Sequence, residues 1–587
     1  RLAKVSADTN LADAAFTTAI GRRAFAKRRI CVAGNWESLS ERLSGGKVQD
    51  GSPASAAGPL NFMFPGQGAQ HVGMACELYE CEPVFRDHID FCATYLEEQI
   101  GADLRDVLYP EVADEAATNR LKETVFAQPA IFVIETGLAK LWQSWGISPA
   151  AMIGHSVGEF AAACIADVFS LKEGLTILAT RGKLMGDLPG GAMLSVRLSE
   201  DAIQSYVGDA DLAAVNGKDL CVLAGSNDMI AAVEARLESD GVTVKHLHTS
   251  HGFHSRMMDP VIDPFAAEIS KATLRKPEIP IFSTVTGDWL TGADACDPDY
   301  WARHLRQPVR FFESIRTLAA TQENQTFVEV GPGQTLATLG RQSVGREGGH
   351  GFHASSAHVS GGASDYEQLL TTLGRLWLNG ASIDWQSYYA IETHRRVVLP
   401  PYPFERKRHW VDPTPMTADP NISLALPETN PVPVATTTTT PVIMPTTPPR
   451  RDRLAAKMRE SLSELSDIPE EELDGDASFL ELGFDSLLLT QVSKAFQDDF
   501  GTKVTMRQLI DELPSIDAMV DHLDATLDPS AFAPEESPVS AAEAAPAVPA
   551  ATVTQMAAPA LVPTAVMPAA PRSAPTMPAV RADRRVL

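Results

Sequence analysis

Cysteine is scarce in this sequence, and the few cysteines form no recognisable ligand or disulfide pattern. Seven cysteines occur in 587 residues, with an odd count and no C-x-x-C pair. These features exclude a disulfide framework and argue against a cysteine-based zinc site, so we expect buried thiols in a reducing cytoplasm. We expect no metal site at the clustered histidines either, because no matching carboxylates or cysteines accompany His246, His248 and His251.

Long apolar runs and an excess of positive charge are also missing. No apolar run suggests a membrane-spanning helix, and a basic stretch at residues 21–29 interrupts any signal-peptide pattern. The chain has 49 Lys and Arg against 75 Asp and Glu, a net charge of −26. This balance argues against a nucleic-acid or anionic-membrane partner. Because the chain begins with Arg rather than Met, we interpret it as a fragment of a longer polypeptide.

Composition shifts along the chain predict two folded units joined by linkers. Residues 59–345 alternate strand-like and helix-like segments, which predicts an α/β unit. Residues 452–527 show helical periodicity and predict a compact all-α unit. The other segments are interpreted as linkers and loops, namely 1–58, 346–410 with a Gly-rich loop at 346–363 and a helix at Tyr366–Asn379, the Pro/Thr-rich 411–451 and the Ala/Pro-rich 528–587, which is either disordered or a second linker.

A nucleophile motif lies in the α/β unit. An apolar stretch runs into Gly154-His155-Ser156-Val157-Gly158, and a helix-forming run follows. The two glycines permit a sharp strand-to-helix turn that exposes the Ser156 hydroxyl near a helix N-terminus. The alternative is a Gly-rich turn with an incidental serine.

The serine needs a general base, for which His254 is the leading candidate. It lies between a strand-like run, Val242–Leu247, and a helix-like run, Met257–Ile269. The same His-Gly-Phe-His tetrapeptide recurs at the position of His353. Because that second copy lies in a predicted Gly-rich loop, it would hold a base less rigidly.

Four motifs in order resemble the malonyl-CoA:carrier-protein transacylases, specifically the acyltransferase domains of polyketide synthases. They are Phe64–Gln70, Gly154–Glu159, Arg181–Met185 and His251–Ser255. The resemblance implies an α/β-hydrolase-like large subdomain and a ferredoxin-like small subdomain at about residues 187–250. Two flanking segments resemble the family's linkers, Leu11–Gly34 the one that follows a ketosynthase and Leu399–Trp410 the one that follows an acyltransferase.

The resemblance also implies a Ser–His dyad. Ser156 would be acylated, with His254 as its base, and the main-chain N–H groups of Gln67 and Val157 would form the oxyanion hole. His304 lies where the family uses a main-chain carbonyl to orient the imidazole. No acidic third member is implied.

Substrate choice is expected to depend on Arg181, Phe253 and His251. The resemblance implies that Arg181 grips the free carboxylate of malonate, for which a planar guanidinium is suited. Phe253 is bulky and would crowd a substituent on the α-carbon, so malonyl is expected rather than methylmalonyl, the alternative. Val157 fits the malonyl group, whereas Gly252 stands where the family usually has alanine and could loosen the pocket.

The all-α unit resembles the acyl and peptidyl carrier proteins. It is expected to be a four-helix bundle with helices at Leu454–Leu465, Ser486–Phe500, Met506–Asp511 and Ile516–Thr526. The motif Gly483-Phe484-Asp485-Ser486-Leu487 implies 4'-phosphopantetheine, covalently bound to Ser486 at a helix start. Residues 452–527 hold 18 acidic and 6 basic residues, a charge that would steer the unit to basic partner surfaces.

The expected partners follow from this resemblance. They are malonyl-CoA, a carrier protein in cis or in trans, a ketosynthase and other modules of the synthase, and a phosphopantetheinyl transferase. Two rival functions remain open at this point. One is a serine hydrolase or thioesterase of the α/β-hydrolase class, whose triad would include Asp187, Asp211 or Asp219. The other is a non-catalytic scaffold whose carrier-like unit only docks.

Overall fold

The computed structural model describes two folded units and the segment that precedes the first. The described residues are 9–45, 48–51, 58–247, 249–345, 347–358, 364–401, 585–586 and, apart from 467, 469, 471, 472, 474, 476, 480, 481, 483, 485, 503 and 512, residues 450–527. Residues 411–449 of the predicted linker at 411–451 lie outside the described residues, and its last two residues begin the helix at Arg450–Ser466. Nearly all of the predicted tail at 528–587 also lies outside the described residues.

The segment before the first unit packs against residues that follow it. Its elements are α1 (Leu11–Gly21), β1 (Arg28–Ile30), β2 (Val32–Ala33), α2 (Trp36–Ser44) and β3 (Gln49–Gly51). Two side chains of α1, Asp13 and Thr17, accept hydrogen bonds from the main-chain N–H groups of Arg395 and Val397, at 2.9 and 3.0 Å. The two segments predicted as linkers are therefore bonded to each other.

A five-stranded parallel sheet organises the larger unit, in the strand order β10-β5-β4-β11-β12. Its strands are β4 (Leu60–Phe64), β5 (Ala151–Gly154), β10 (Ile281–Phe282), β11 (Thr326–Glu329) and β12 (Gly351–Ala354). The helices of the unit cover this sheet or pack on other helices, because both faces of a parallel sheet are buried. They are α3 (Cys76–Cys81), α4 (Pro83–Ile100), α5 (Leu104–Leu108), α6 (Glu115–Lys122), α7 (Thr124–Ser144), α8 (Gly158–Ile165), α9 (Leu171–Gly186), α12 (Asp259–Ile269), α13 (Gly292–Ala295), α14 (Pro298–Arg303), α15 (Phe311–Ala320), α16 (Thr335–Val344), α17 (Asp365–Leu378) and α18 (Trp385–Tyr388).

The edge strand β12 corrects one sequence expectation. Residues 346–363 were expected to form a loop, but β12 pairs in parallel with β11, with Phe352 opposite Phe327. The two rings stack with centroids 4.8 Å apart. The strand forms because a long-range partner and a buried apolar face stabilise it in spite of its glycine-rich flanks.

A smaller antiparallel sheet is inserted between α9 and α12. This inserted segment comprises β6 (Ala192–Val196), α10 (Glu200–Val207), β7 (Asp211–Gly217), β8 (Leu220–Gly225), α11 (Asn227–Ser239) and β9 (Val244–His246). Its four strands form the sheet in the order β7-β8-β6-β9. This βαββαβ arrangement is the expected ferredoxin-like subdomain. It has an apolar core of its own, which includes Leu194, Leu223 and Ile230.

Helix α7 is the core helix of the larger unit. By length and composition alone it is apolar enough to cross a membrane, which the sequence analysis did not anticipate. Most of it, 89% of the apolar window, is buried inside the protein, and it is the one such helix in the described part of the chain. Burial among α4, α9 and the sheet accounts for its composition.

The carrier-like unit is a helical bundle with a separate core. Its helices are α19 (Arg450–Ser466), α20 (Ser486–Phe500), α21 (Met506–Asp511) and α22 (Ile516–Thr526), which confirms the four predicted helices. Leu462, Val492, Phe496, Met519 and Leu523 are among the side chains that fill its core.

At the end of the chain, β13 (Arg585–Val586) pairs antiparallel with β2.

Candidate active site

A strained turn presents Ser156 between β5 and α8. Its φ is +52°, a left-handed conformation that is unfavourable for a residue with a side chain. A Cβ at Gly154 would overlap the main chain of Glu159, and one at Gly158 would overlap the main chain of Phe64. Only glycine fits these two positions, and the turn leaves Ser156 half-exposed at its tip.

His254 is hydrogen-bonded to the serine. The distance from Ser156 Oγ to His254 Nε2 is 2.7 Å, and Nδ1 lies 2.8 Å from the main-chain oxygen of Gln307. Since a carbonyl can only accept, Nδ1 carries the proton and Nε2 is free to take the hydroxyl proton. His254 is itself held at a φ of +56°, so both members of the pair occupy strained backbone.

The environment of His254 keeps the imidazole neutral. Burial is the largest cause that holds its pKa well below the ordinary value, followed by the nearby His304 and Arg181. The hydrogen bond to the Gln307 carbonyl acts in the opposite direction. A neutral imidazole at physiological pH is the form that a general base requires.

The structure corrects the role expected for His304. The carbonyl that accepts from His254 belongs to Gln307, three residues further along the chain. The His304 side chain instead lies beside the base, with the two ring centroids 6.2 Å apart. The sequence could not distinguish these positions, because every residue of the turn offers the same main-chain oxygen.

No aspartate takes the place of a third triad member among the described residues. Asp211 binds the Arg256 and Arg306 side chains, Asp187 caps the end of α9, and Asp219 lies in the turn between β7 and β8. The Nδ1 acceptor of the base is a neutral carbonyl. The arrangement is therefore a dyad rather than the triad of the rival hydrolase interpretation.

Two main-chain N–H groups are available beside the nucleophile. No acceptor among the described residues is bonded to the N–H of Gln67 or of Val157. Their loops touch, since a Cβ at Gly66 would lie 2.8 Å from the main-chain oxygen of His155. Two unpaired donors on adjoining loops next to Ser156 are what an oxyanion hole needs.

Arg181 is a buried cation with no anionic partner. It lies on α9, is 2% exposed, and its guanidinium carbon stands 5.5 Å from the centre of the Phe160 ring. Its Nε has no hydrogen-bond acceptor, and no carboxylate in the described ranges forms an ion pair with it. Burial lowers the pKa of Arg181 to about 9, so the guanidinium remains charged at neutral pH. Such a charge is unfavourable until an anion joins it.

Gln128 connects this cation to the loop that carries Gln67. It was not among the site residues predicted from the sequence. Its side-chain oxygen accepts a hydrogen bond from Arg181 Nη1. Its amide nitrogen lies 3.4 Å from Gln67 Oε1 and 3.2 Å from Met185 Sδ. The signal that could have revealed Gln128 is an amide directly before Pro129, within the mainly apolar first half of α7.

Phe253 and His251 precede the base in the sequence, and both were predicted to influence substrate choice. Phe253 is buried, with its ring 6.0 Å from that of His251. Both ring nitrogens of His251 already have protein neighbours, Ser250 Oγ at 2.8 Å and the Leu188 oxygen at 3.1 Å. His251 thus supports the segment that carries Phe253, and its contact with substrate stays a prediction.

Gly252 has a role other than enlarging the pocket. A Cβ at this position would lie 2.8 Å from the main-chain oxygen of Gly225 and 3.0 Å from Met257 Sδ. Glycine therefore lets the segment of the base lie directly against the end of β8.

The remaining predicted positions lie elsewhere. His353 is buried on β12, and neither of its ring nitrogens has a hydrogen-bond partner in the described structure. It is not the base of this serine, because Ser156 is bonded to His254. Ser486 is the first residue of α20, between Phe484 and Leu488, which are both buried.

Comparison with known families defines the class. The model of the family described as "Acyl transferase domain" matches residues 61–371, more than half of the chain. The chain therefore belongs to the acyl transferase domain family. Two further models match the flanking parts, "Phosphopantetheine attachment site" at residues 456–523 and "CurL-like, PKS C-terminal" at residues 2–43.

Within that class, the chain is similar to polyketide synthases, and its acyl transferase domain precedes the segment that matches the phosphopantetheine attachment model. It is 34% identical over 86% of its length to one component of the phenolphthiocerol/phthiocerol polyketide synthase of Mycobacterium tuberculosis. It is 33% identical over 82% of its length to the polyketide synthase GfsA of Streptomyces halstedii. The chain spans 33% of the first relative and 6% of the second.

Solved structures support the same fold. The acyl transferase domain of ZmaA is 35% identical with a TM-score of 0.62, and the match covers 67% of this chain and 92% of that one. The acyltransferase domain from the second module of the salinomycin polyketide synthase is 33% identical with a TM-score of 0.58, covering 68% and 93%.

Proposed function

We propose that the chain transfers a malonyl unit from malonyl-CoA, through an ester on Ser156, to a carrier protein. The observation that carries this proposal is Arg181, a buried and charged guanidinium without a counter-ion beside the dyad. A substrate with a free carboxylate would supply the missing anion, and two parallel N–H donors suit its two oxygens. An acyl group without a carboxylate would leave the cation unpaired.

The dyad supports an acyl-transfer mechanism. Ser156 Oγ attacks the thioester carbon as His254 Nε2 takes the hydroxyl proton. The carbonyl oxygen becomes an oxyanion that the N–H groups of Gln67 and Val157 would stabilise. When the intermediate collapses, the carbon–sulfur bond breaks, and the imidazolium returns its proton to the leaving coenzyme A sulfur.

The carrier domain fits the second half of the transfer. We propose Ser486 as the attachment residue, since α20 begins at this serine and a helix N-terminus favours a phosphodiester. The 4'-phosphopantetheine group supplies the thiol that accepts the acyl unit. His254 would take the proton of that thiol, in the same position in which it served the serine hydroxyl. A phosphopantetheinyl transferase, a ketosynthase and further modules are the partners that we propose for the whole synthase.

Malonyl is the proposed acyl group rather than methylmalonyl. The support is the volume of Phe253, which is buried one residue before the base. An aromatic ring there would crowd a methyl branch on the α-carbon. One solved relative, the acyl transferase domain of SpnD, is known as a complex with a 2-substituted malonyl group. Bulky substituents are therefore compatible with the fold, and the selectivity of this chain has to come from individual residues.

Intact-mass measurement tests the proposal. The full chain, loaded with phosphopantetheine, is mixed with equal concentrations of malonyl-, methylmalonyl- and acetyl-CoA. We expect a gain of one malonyl group on Ser156 and a second on the carrier arm. Ser156→Ala should abolish both gains within this chain, and Ser486→Ala only the second.

The repeated tetrapeptide provides a matched control. His254→Gln should abolish acylation, whereas His353→Gln changes the same residue in the same local sequence without touching the dyad. Acylation of the wild type by acetyl-CoA as readily as by malonyl-CoA would refute the proposed substrate. Release of free malonate without transfer to the carrier would favour the thioesterase alternative.

A further inference from the structure

Glu159 is a fully buried carboxylate three residues after the nucleophile. Its Oε2 accepts from both the main-chain N–H and the hydroxyl of Thr284, each at 3.0 Å, and its Oε1 accepts from the Tyr300 hydroxyl. Burial alone would raise its pKa, but the nearby His304 and these hydrogen bonds more than offset that effect and hold its pKa below the ordinary value. Glu159 is thus an ionised group in the core, which needs its partners to be tolerated.

The partners of Glu159 bracket the turn that orients the base. This turn comprises residues 304–310. At its start, the main-chain N–H of His304 donates to the main-chain oxygen of Tyr300 at 3.1 Å, which joins the turn to α14. At its end, the main-chain N–H of Arg310 donates to the main-chain oxygen of Thr284 at 2.8 Å. Gln307, whose carbonyl accepts from the base, lies between these two attachments.

A third contact reaches the turn directly. His304 Nε2 lies 3.5 Å from Glu159 Oε2, and both side chains are almost completely buried. Neither ring nitrogen of His304 has a hydrogen-bond partner at ordinary distance in the described structure. The carboxylate is therefore the charged side chain recorded beside this ring, whose aromatic neighbours include Phe160 and the base.

We propose that Glu159 is a positioning residue for the general base, acting through the turn that presents the Gln307 carbonyl to His254. The dyad then depends on an acidic residue that does not contact the catalytic imidazole. Glu159 instead stabilises the turn whose Gln307 carbonyl accepts the hydrogen bond from His254. This inference rests on the proposed function only in taking Ser156 as the nucleophile.

A serine-reactive fluorophosphonate separates this role from substrate choice. In that reaction the serine oxygen bonds to phosphorus, fluoride leaves, and the hydroxyl proton passes to His254, so neither malonate nor Arg181 takes part. We expect Glu159→Gln to lower the maximal rate of Ser156 modification about tenfold or more, as misplacement of a catalytic group does. The probe concentration at half-maximal rate should change less than about twofold.

Glu135→Gln is the matched control. Glu135 is equally buried in the same unit but has no hydrogen-bond partner in the described structure. Burial, followed by the nearby Glu329, raises its pKa well above the ordinary value, which favours the neutral form that glutamine resembles. Its substitution should leave the modification rate unchanged. An equal fall in both variants, or a Glu159→Gln rate within twofold of the wild type, would overturn the inference.

His304→Asn keeps the inference testable if Glu159→Gln does not fold. It removes one of the three contacts and leaves those to Thr284 and Tyr300 in place. We expect a fall of about threefold or more in the maximal rate, and an unchanged rate would count against the proposal. A wild-type chain that reacts with the probe but not with malonyl-CoA would refute the proposed function and leave this inference intact.

Discussion

Replacing Arg181 with alanine should separate the stability of the protein from its choice of substrate. Lowering the pKa of this guanidinium from 12.5 to about 9 corresponds to roughly 5 kcal/mol by which burial disfavours its charged form. Arg181→Ala removes that penalty together with the bond to Gln128 and the contact with Phe160. The opposing effects should leave the free energy of unfolding within about 2 kcal/mol of the wild type.

The effect on malonyl transfer should be much larger. Two charge-assisted hydrogen bonds to the malonate carboxylate contribute about 1.5–3 kcal/mol each. Their loss corresponds to at least about a hundredfold fall in kcat/KM for malonyl-CoA. Acetyl-CoA has no carboxylate, so its kcat/KM should stay level or rise.

Steady-state acylation of the chain, followed by intact mass with the two thioesters in competition, measures both values. Arg181→Lys is the matched variant, since it keeps the charge but lacks the planar fork, and it should recover only part of the selectivity. An Arg181→Ala chain that keeps its preference for malonyl over acetyl would refute the reasoning, because the carboxylate would then be recognised elsewhere.

Three further predictions concern the general base His254, the turn that carries Ser156, and the buried carboxyls. Because burial, more than the neighbouring charges, holds the pKa of His254 well below 6.5, acylation should stay level from about pH 8 to about pH 6 and decline only in stronger acid; an acid limb centred near the ordinary histidine pKa would contradict this. Gly158→Ala should lower the free energy of unfolding by about 1–3 kcal/mol, since the added methyl overlaps the main chain of β4. In denaturant titration, Gly186→Ala is the control, because a Cβ there meets no atom within 4 Å. Burial raises the pKa of Glu329 to about 7, and burial and Glu329 together raise that of Glu135. Stability from a carboxyl with a raised folded pKa is complete below its unfolded pKa and is lost as pH rises through the folded value. The contribution of these two carboxyls should therefore fall between about pH 4.5 and about pH 7, whereas His88 and His353, whose pKa burial lowers to about 3, act in the opposite direction. The unfolding free energy of the wild type measured relative to Glu135→Gln should accordingly fall over this range, and equal pH dependence in both proteins would count against the reasoning.

Several features of the site could be predicted because their signals are local. Gly154 and Gly158 flank the turn that carries Ser156, and a Cβ at either position would overlap main-chain atoms a few residues away or on the next strand. The glycine pattern therefore identifies Ser156 from the sequence alone. The carrier helices follow apolar periodicity, and this periodicity predicts α20 with the same ends that the structure gives it, at Ser486 and Phe500.

Other features could not be predicted, because they depend on the tertiary structure rather than on side-chain identity. The acceptor of the base is a main-chain oxygen, and nothing in the side chain of Gln307 distinguishes it from its neighbours. The strand β12 depends on a partner more than twenty residues away. Gly252 was interpreted as a missing methyl in a pocket, whereas the structure shows that it permits contact with Gly225 on another subdomain.

Four physical conflicts of this unit lie together at one place, although others, such as the buried Glu135, lie elsewhere. This clustering supports the assignment of that place as the active site. Ser156 and His254 both hold positive φ angles, although each carries a side chain. Arg181 is a buried charge without an anion, and Glu159 is a buried anion that depends on its partners. The two strained angles and the unpaired cation disfavour the folded state, and the buried anion is tolerated only with its partners, so a sequence shaped by stability alone would not combine them. Substitutions that relieve the strain or remove the unpaired cation should therefore stabilise the fold or leave it nearly unchanged while they slow acyl transfer. The Arg181→Ala comparison measures both effects in one variant.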